Sequence, residues 1–267
     1  MLKHLIQHRL FKNTSALLIV QLVTYIAPFI VLPYLSRILG ADGFGLMVAA
    51  LSLTTLANIV TDFGFNLSAT YLISRKQSNL RYISKIISSI YLLKMGLIAI
   101  VFILLSIYLL FFAQYTSLAL AAIFSTVFFQ AFQSTWLFQG IEKMKLMTYS
   151  TIVARFSYVI FIFLLVKESH QYDIALLCHA ASTFLAVLFA NILIYREGFR
   201  LTRPSLRLIK LTLGHSSQFF LSRLALSASS SLSVIVLSNS VAPAQVGLYG
   251  ASERLYGAFK RLINPFS

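Results

Sequence analysis

The stretch SRKQSNLRYISKIISSIYLLKMGLIAIVFILLSIYLLFF, residues 74–112, decides the fold. Its first third, 74–86, carries Arg75, Lys76, Arg81 and Lys85, and the apolar run 87–112 that follows holds Lys94 as its one charged residue. The next connector, 113–116, has no Lys or Arg. About 20 apolar residues cross a bilayer as a helix, and Lys and Arg are held on the cytoplasmic side during insertion. A basic connector, an apolar run and an uncharged connector therefore read as one helix crossing from the cytoplasm.

The alternation extends along the whole chain. Residues 1–13 carry Lys3, Arg9 and Lys12; 140–149 carry Lys143 and Lys145; 196–210 carry Arg196, Arg200, Arg203, Arg207 and Lys210. The intervening connectors hold only Arg37 and Lys167, and 239–245 has neither residue type, so alternate connectors contain 14 of the 22 basic residues against 2. Apolar runs near 14–35, 45–65, 87–112, 117–138, 150–166, 174–195, 217–237 and 246–263 predict about eight transmembrane helices. The second run stays apolar past 65. Closed β-barrels are excluded because apolar residues run continuously instead of alternating. The expected fold is all-α, a polytopic membrane helix bundle in the inner membrane with a cytoplasmic N-terminus. Residues 1–13 place Leu2, Leu5, Ile6 and Leu10 on one helical face, which fits a short amphipathic helix at the cytoplasmic interface and equally a plain basic leader for topology.

Composition agrees. The 267 residues are 58% hydrophobic and 11% charged, with a mean hydropathy of +0.84; soluble domains are roughly 25% charged. The net charge of +15 sits in short connectors and not on one continuous face, which argues against nucleic acid and points to membrane lipids with anionic headgroups. The single Cys178 and five scattered histidines form no metal or catalytic motif, and no GxxxxGK[ST] loop occurs, so neither cofactor, metal nor enzymatic activity is expected.

Polar residues at membrane depth are the candidates for function, because they are costly there and face a bundle interior or an aqueous path. The last run places Glu253 and Arg254 about 10 Å inside the membrane at helical rise; a basic cavity wall and an internal ion-pair network both fit. Lys94 and Arg223 lie roughly 10 Å from cytoplasmic ends, within snorkelling reach, or point inward to meet an anion. Asp62 shares a face with Asn58 and Asn66 and reads either as a coupling carboxylate or as an interfacial one. Gln130 and Gln133 form a stripe suited to lining a cavity or to binding helices together, and Trp136 marks the interface belt. Arg155, Lys260 and Arg261 are expected near cytoplasmic ends. Lys94, Arg223 and Arg254 remain as the short list for binding an anionic group.

Four strings carry a family resemblance: PFIVLPYLSRILGADGFG (28–45), DFGFNLSAT (62–70), WLFQGIEKMK (136–145) and VGLYGASERLYGAFKRLINPFS (246–267). Together they resemble the bacterial O-antigen and polysaccharide flippases of the polysaccharide transporter branch of the multidrug/oligosaccharidyl-lipid/polysaccharide exporters. The resemblance implies transport of undecaprenyl-pyrophosphate-linked repeat units from the cytoplasmic to the periplasmic leaflet by alternating access. It implies two six-helix lobes around a central cavity, basic residues meeting the pyrophosphate, and an O-antigen polymerase or assembly complex as partner. On that pattern 14–198 is one six-helix lobe, and 199–267 is a cytoplasmic connector with the first two helices of a second lobe. The chain then looks truncated and inactive alone. A cation-coupled small-molecule extruder using Asp62, or a structural component of a glycan-assembly complex, are the alternatives.

Overall fold

The computed structural model describes residues 29–112 and 115–263, with 226–230, 255 and 258–263 as backbone only. The proposed amphipathic segment 1–13, residues 14–28 of the run 14–35, and the side chains of Lys260 and Arg261 lie outside the described residues.

Every described element is helical. Helix α1 is Phe29–Ile38, and α2 (Gly40–Asp62) and α3 (Phe65–Ser74) follow as two halves of one apolar stretch. The halves are separated because Phe63 and Gly64 take left-handed φ values of 44° and 78°, which glycine adopts without steric cost. Helices α4 (Leu80–Phe112), α5 (Ser117–Ala131), α6 (Thr135–Gly140), α7 (Met144–Leu165) and α8 (Tyr172–Arg196) complete the first part. Thr116 caps α5 by accepting the N–H of Ala119 at 3.2 Å. Helices α9 (Leu206–Ser238) and α10 (Pro243–Ile263) follow.

Five helical stretches among the described residues are long and apolar enough to cross a membrane: α2–α3, α4, α5–α6, α7 and α8. The protein is a multi-pass membrane helix bundle. Helices α9 and α10, of 33 and 21 residues, are also long enough to cross, and parts of both lie outside the residues whose side chains are described. Lipid-facing surfaces are carried chiefly by α4 and α7, where Leu110 (83% exposed) and Leu164 (66%) project outward.

Helix α2 is the centre of the bundle, with α10, α9, α5, α4 and α8 all packed on it. Its contact with α10 is backbone against backbone. A Cβ at Gly45 would lie 1.8 Å from the carbonyl oxygen of Pro243, and one at Gly250 would lie 2.2 Å from Val48 Cγ1. Small residues permit this approach, as membrane helices commonly use them. Two apolar clusters result. One gathers Val31, Leu35, Met47, Val48, Ile123 and Ile162 toward the end with few charges. The other gathers Phe65, Ile73, Ile86, Ile90, Trp136 and Phe138 toward the basic connectors. Trp136 is fully buried there, so it is a core residue and not a belt residue.

The connector before α9 is extended and fixed to α4. The N–H groups of Arg200, Thr202 and Ser205 donate to the hydroxyl oxygens of Ser84, Ser88 and Ser89 at 3.2, 2.8 and 3.3 Å. Ser88 and Ser89 spend their own protons on the carbonyls of Ser84 and Lys85, leaving lone pairs for the connector.

Candidate functional site

Two groups of charged residues lie inside the bundle, and they differ in how their charge is balanced. The first is centred on Asp62, the last residue of α2 and 4% exposed. Arg223 Nη1 from α9 donates to Asp62 Oδ2. Lys94 Nζ from α4 lies 3.8 Å from Asp62 Oδ1 and donates to the carbonyl oxygen of Ala131 at 2.6 Å. Ala131 ends α5, and the terminal carbonyls of a helix lack intrahelical partners and carry partial negative charge. Lys94 is 2% exposed, and its ammonium also stands 6.0 Å from the Phe65 ring.

The snorkelling reading of Lys94 is therefore overturned. Helix α4 begins at Leu80, which puts Lys94 about 21 Å from that end at 1.5 Å per residue, and the side chain turns inward.

The second group surrounds a cavity of about 350 Å³ between α1, α2, α5, α7, α8 and α10. Its polar lining is Thr54 and Thr55 from α2, Gln130 from α5, Arg155 and Tyr158 from α7, His179 from α8 and Arg254 from α10. Arg155 and Arg254 sit near the midpoints of their helices, roughly 15 Å from either end. No carboxylate lines the cavity among the described residues. Tyr158 meets His179 edge to face, with ring centroids 5.4 Å apart. Gln130 Oε1 and His179 Nδ1 are buried without a hydrogen-bond partner among the described residues. A guanidinium at the centre of a membrane helix costs about 2.5–3.5 kcal/mol on insertion scales, so two facing one cavity form an anion-receptive arrangement.

A smaller recess of about 80 Å³ adjoins this cavity and shares Gln130, Arg155, Tyr158 and His179 with it. Gln133, Thr151, Ser182 and Thr183 complete its polar wall.

The sequence candidates thus divide. Lys94, Arg223 and Asp62 converge on one another, while Arg254, Gln130 and Gln133 reach the cavity and its recess. Glu253 lies along α10, where its carboxylate accepts from Tyr249 Oη at 3.3 Å, and it is absent from both linings. Arg155, Tyr158 and His179 are cavity residues that sequence reasoning missed. Arg155 is corrected from the cytoplasmic end to mid-helix, because α7 starts at Met144 and not at residue 150. The spacing of Thr151, Arg155 and Tyr158 at i, i+4 and i+7 was the available signal, since it places three polar side chains on one helical face.

The fold defines a multi-pass helical membrane protein that encloses a basic, polar cavity near the middles of its helices. The comparisons with known proteins narrow this. A family model described as "Polysaccharide biosynthesis protein" matches residues 10–267, and the chain belongs to that family. A Shigella dysenteriae protein named "Putative O-antigen transporter" is 33% identical over 95% of this chain and 64% of its own length. An Escherichia coli (strain K12) protein of the same name is 28% identical over 96% of this chain and 62% of its own length. The chain spans just under two thirds of each relative. No solved structure matches it.

Proposed function

We propose that the protein serves in moving lipid-linked O-antigen or related polysaccharide repeat units across the inner membrane, with the Arg155–Arg254 cavity receiving the anionic pyrophosphate that joins sugar to lipid. The observation that carries this reading is the pair of mid-helix guanidiniums on one cavity with no carboxylate among its described lining residues. An extruder of organic cations would need the opposite charge there. The family and the names of the relatives support the substrate class. The alternate basic connectors support a cytoplasmic N-terminus and cytoplasmic loading. Residues 14–198 would act as one lobe and 199 onward as the start of a second, with the cavity opened alternately to either side.

Calorimetric titration of the purified protein in detergent micelles with inorganic pyrophosphate tests the site. Wild-type protein is expected to bind, and Arg155→Gln and Arg254→Gln are each expected to weaken binding about tenfold, the scale of one lost charge-assisted hydrogen bond. The exposed connector variant Arg203→Gln should leave binding unchanged. Binding of tetraphenylphosphonium in place of pyrophosphate, or pyrophosphate binding indifferent to both arginines, overturns the reading.

A further inference from the structure

The cavity and its recess differ in hydrogen-bonding balance: the cavity is lined by Arg155 and Arg254 with the hydroxyls of Thr54 and Thr55, the recess by Arg155 alone with those of Thr151, Ser182 and Thr183. The arginines are donors only. In the recess, Thr151, Ser182 and Thr183 each spend their hydroxyl proton on their own helix: Thr151 donates to the carbonyl of Met147 at 3.0 Å, and Ser182 and Thr183 both donate to that of His179 at 2.8 Å. What these oxygens present to the recess is lone pairs. Gln130 Oε1, buried and unpartnered among the described residues, adds another acceptor. With Arg155 on the wall shared with the cavity, the hydroxyl wall of the recess offers acceptors that favour uncharged groups carrying O–H or N–H. At about 80 Å³ the recess is too small for a whole sugar ring and has the space of two or three water molecules.

We infer that this recess is a specificity subsite for the sugar next to the anionic group, seating one uncharged hydrogen-bond-donating substituent of the ring, such as a hydroxymethyl or an acylamino group, while the ring itself stays in the larger cavity. The inference rests on the anion reading above, and it adds where discrimination between sugars is made. Arg155, Tyr158 and His179 line both compartments, so a substituent in the recess lies next to an anion in the cavity. Hydroxyl oxygens fixed by intrahelical bonds cannot rotate to donate without breaking those bonds. A substituent that offers only acceptors leaves them unpaired, and discrimination follows.

The test compares inorganic phosphate with glucose 1-phosphate and N-acetylglucosamine 1-phosphate, titrated calorimetrically into the purified protein. At least one sugar phosphate is expected to bind about tenfold more tightly than phosphate. Thr151→Val and Ser182→Ala should each erase most of that gain and leave inorganic phosphate within twofold of wild type. Thr183→Val serves as a third variant should one of these fail to elute as a single species. If phosphate binds and neither sugar phosphate binds more tightly, the subsite is refuted while the anion site stands. The same holds if the hydroxyl variants weaken phosphate and sugar phosphate equally. If phosphate itself does not bind, both readings fall together.

Discussion

Replacing Asp62 by Asn isolates the electrostatics of the inner charged group, because one carboxylate there serves two cations. Asn keeps the volume and removes the charge, so Lys94 and Arg223 would face each other without a counter-ion. Breaking a buried ion pair by removing one partner costs about 3–5 kcal/mol. Arg223 is 37% exposed and screened by its surroundings, so its share is small. Lys94, at 2% exposure, carries most of the penalty and sets the expectation near the lower end, about 3 kcal/mol. Lys94→Met should behave differently. It leaves Asp62 paired with Arg223, fills the space of the lysine stem, and gives up a 3.8 Å contact and one bond to Ala131; the cost should stay near about 1 kcal/mol. The double variant Asp62→Asn/Lys94→Met should be more stable than Asp62→Asn alone, since the uncompensated charge is gone. The assay is the thermal midpoint of helix loss by circular dichroism in detergent micelles. At about 2–4 °C per kcal/mol, Asp62→Asn should fall by roughly 10 °C and Lys94→Met by only a few degrees. Equal losses in the two single variants, or a double variant no better than Asp62→Asn, would refute the claim that Lys94 is held in place by that carboxylate.

Two further predictions concern how the scaffold holds the cavity. Gly45→Val should sharply reduce the yield of monodisperse protein on size exclusion, because a side chain at 45 collides with the Pro243 carbonyl and drives α10, with Arg254, away from α2; Gly96→Ala, with nothing within 4 Å of its Cβ, should be tolerated. Ser88→Ala should speed hydrogen exchange at the Thr202 amide about tenfold, since that N–H loses its acceptor and local opening becomes easier, with little change at helix α8.

Membrane class and approximate spans were legible in the sequence because hydropathy and basic connectors answer to the bilayer itself. Helix ends were less so. Helices α4 and α9 each run 33 residues, longer than the apolar runs that marked them, because a helix continues past the bilayer wherever its flanks still pack. That error displaced Lys94 and Arg155 toward an interface they do not occupy. The break between α5 and α6 contains neither Gly nor Pro (Phe132, Gln133, Ser134), so no local signal announced it. The pairing of Asp62 with Arg223 spans 161 residues of sequence, and only the packing of α2 against α9 brings them together. Residue type had singled out five of the interior charges, but which of them neutralise one another depends on tertiary packing.

That division of charge bears on how a lysine comes to be buried without being available to a ligand. Two interrupted helices, α2 at Asp62 and α5 at Ala131, end beside the same point of α4. Each interruption brings a helix C-terminus, with its partial negative charge, into the bundle interior, and α2 adds a full carboxylate at that end. Lys94 lies against both ends at once, which offsets the desolvation that would otherwise expel it. Such a lysine fastens two broken helices together, and an anion approaching it would have to compete with Asp62. Arg155 and Arg254, likewise near the middles of their helices, have no carboxylate among the described residues lining their cavity. The two sets of charges are therefore set apart by what their neighbours present: Lys94 and Arg223 face the ends of interrupted helices and the carboxylate of Asp62, whereas Arg155 and Arg254 face a cavity with no carboxylate among its described lining residues.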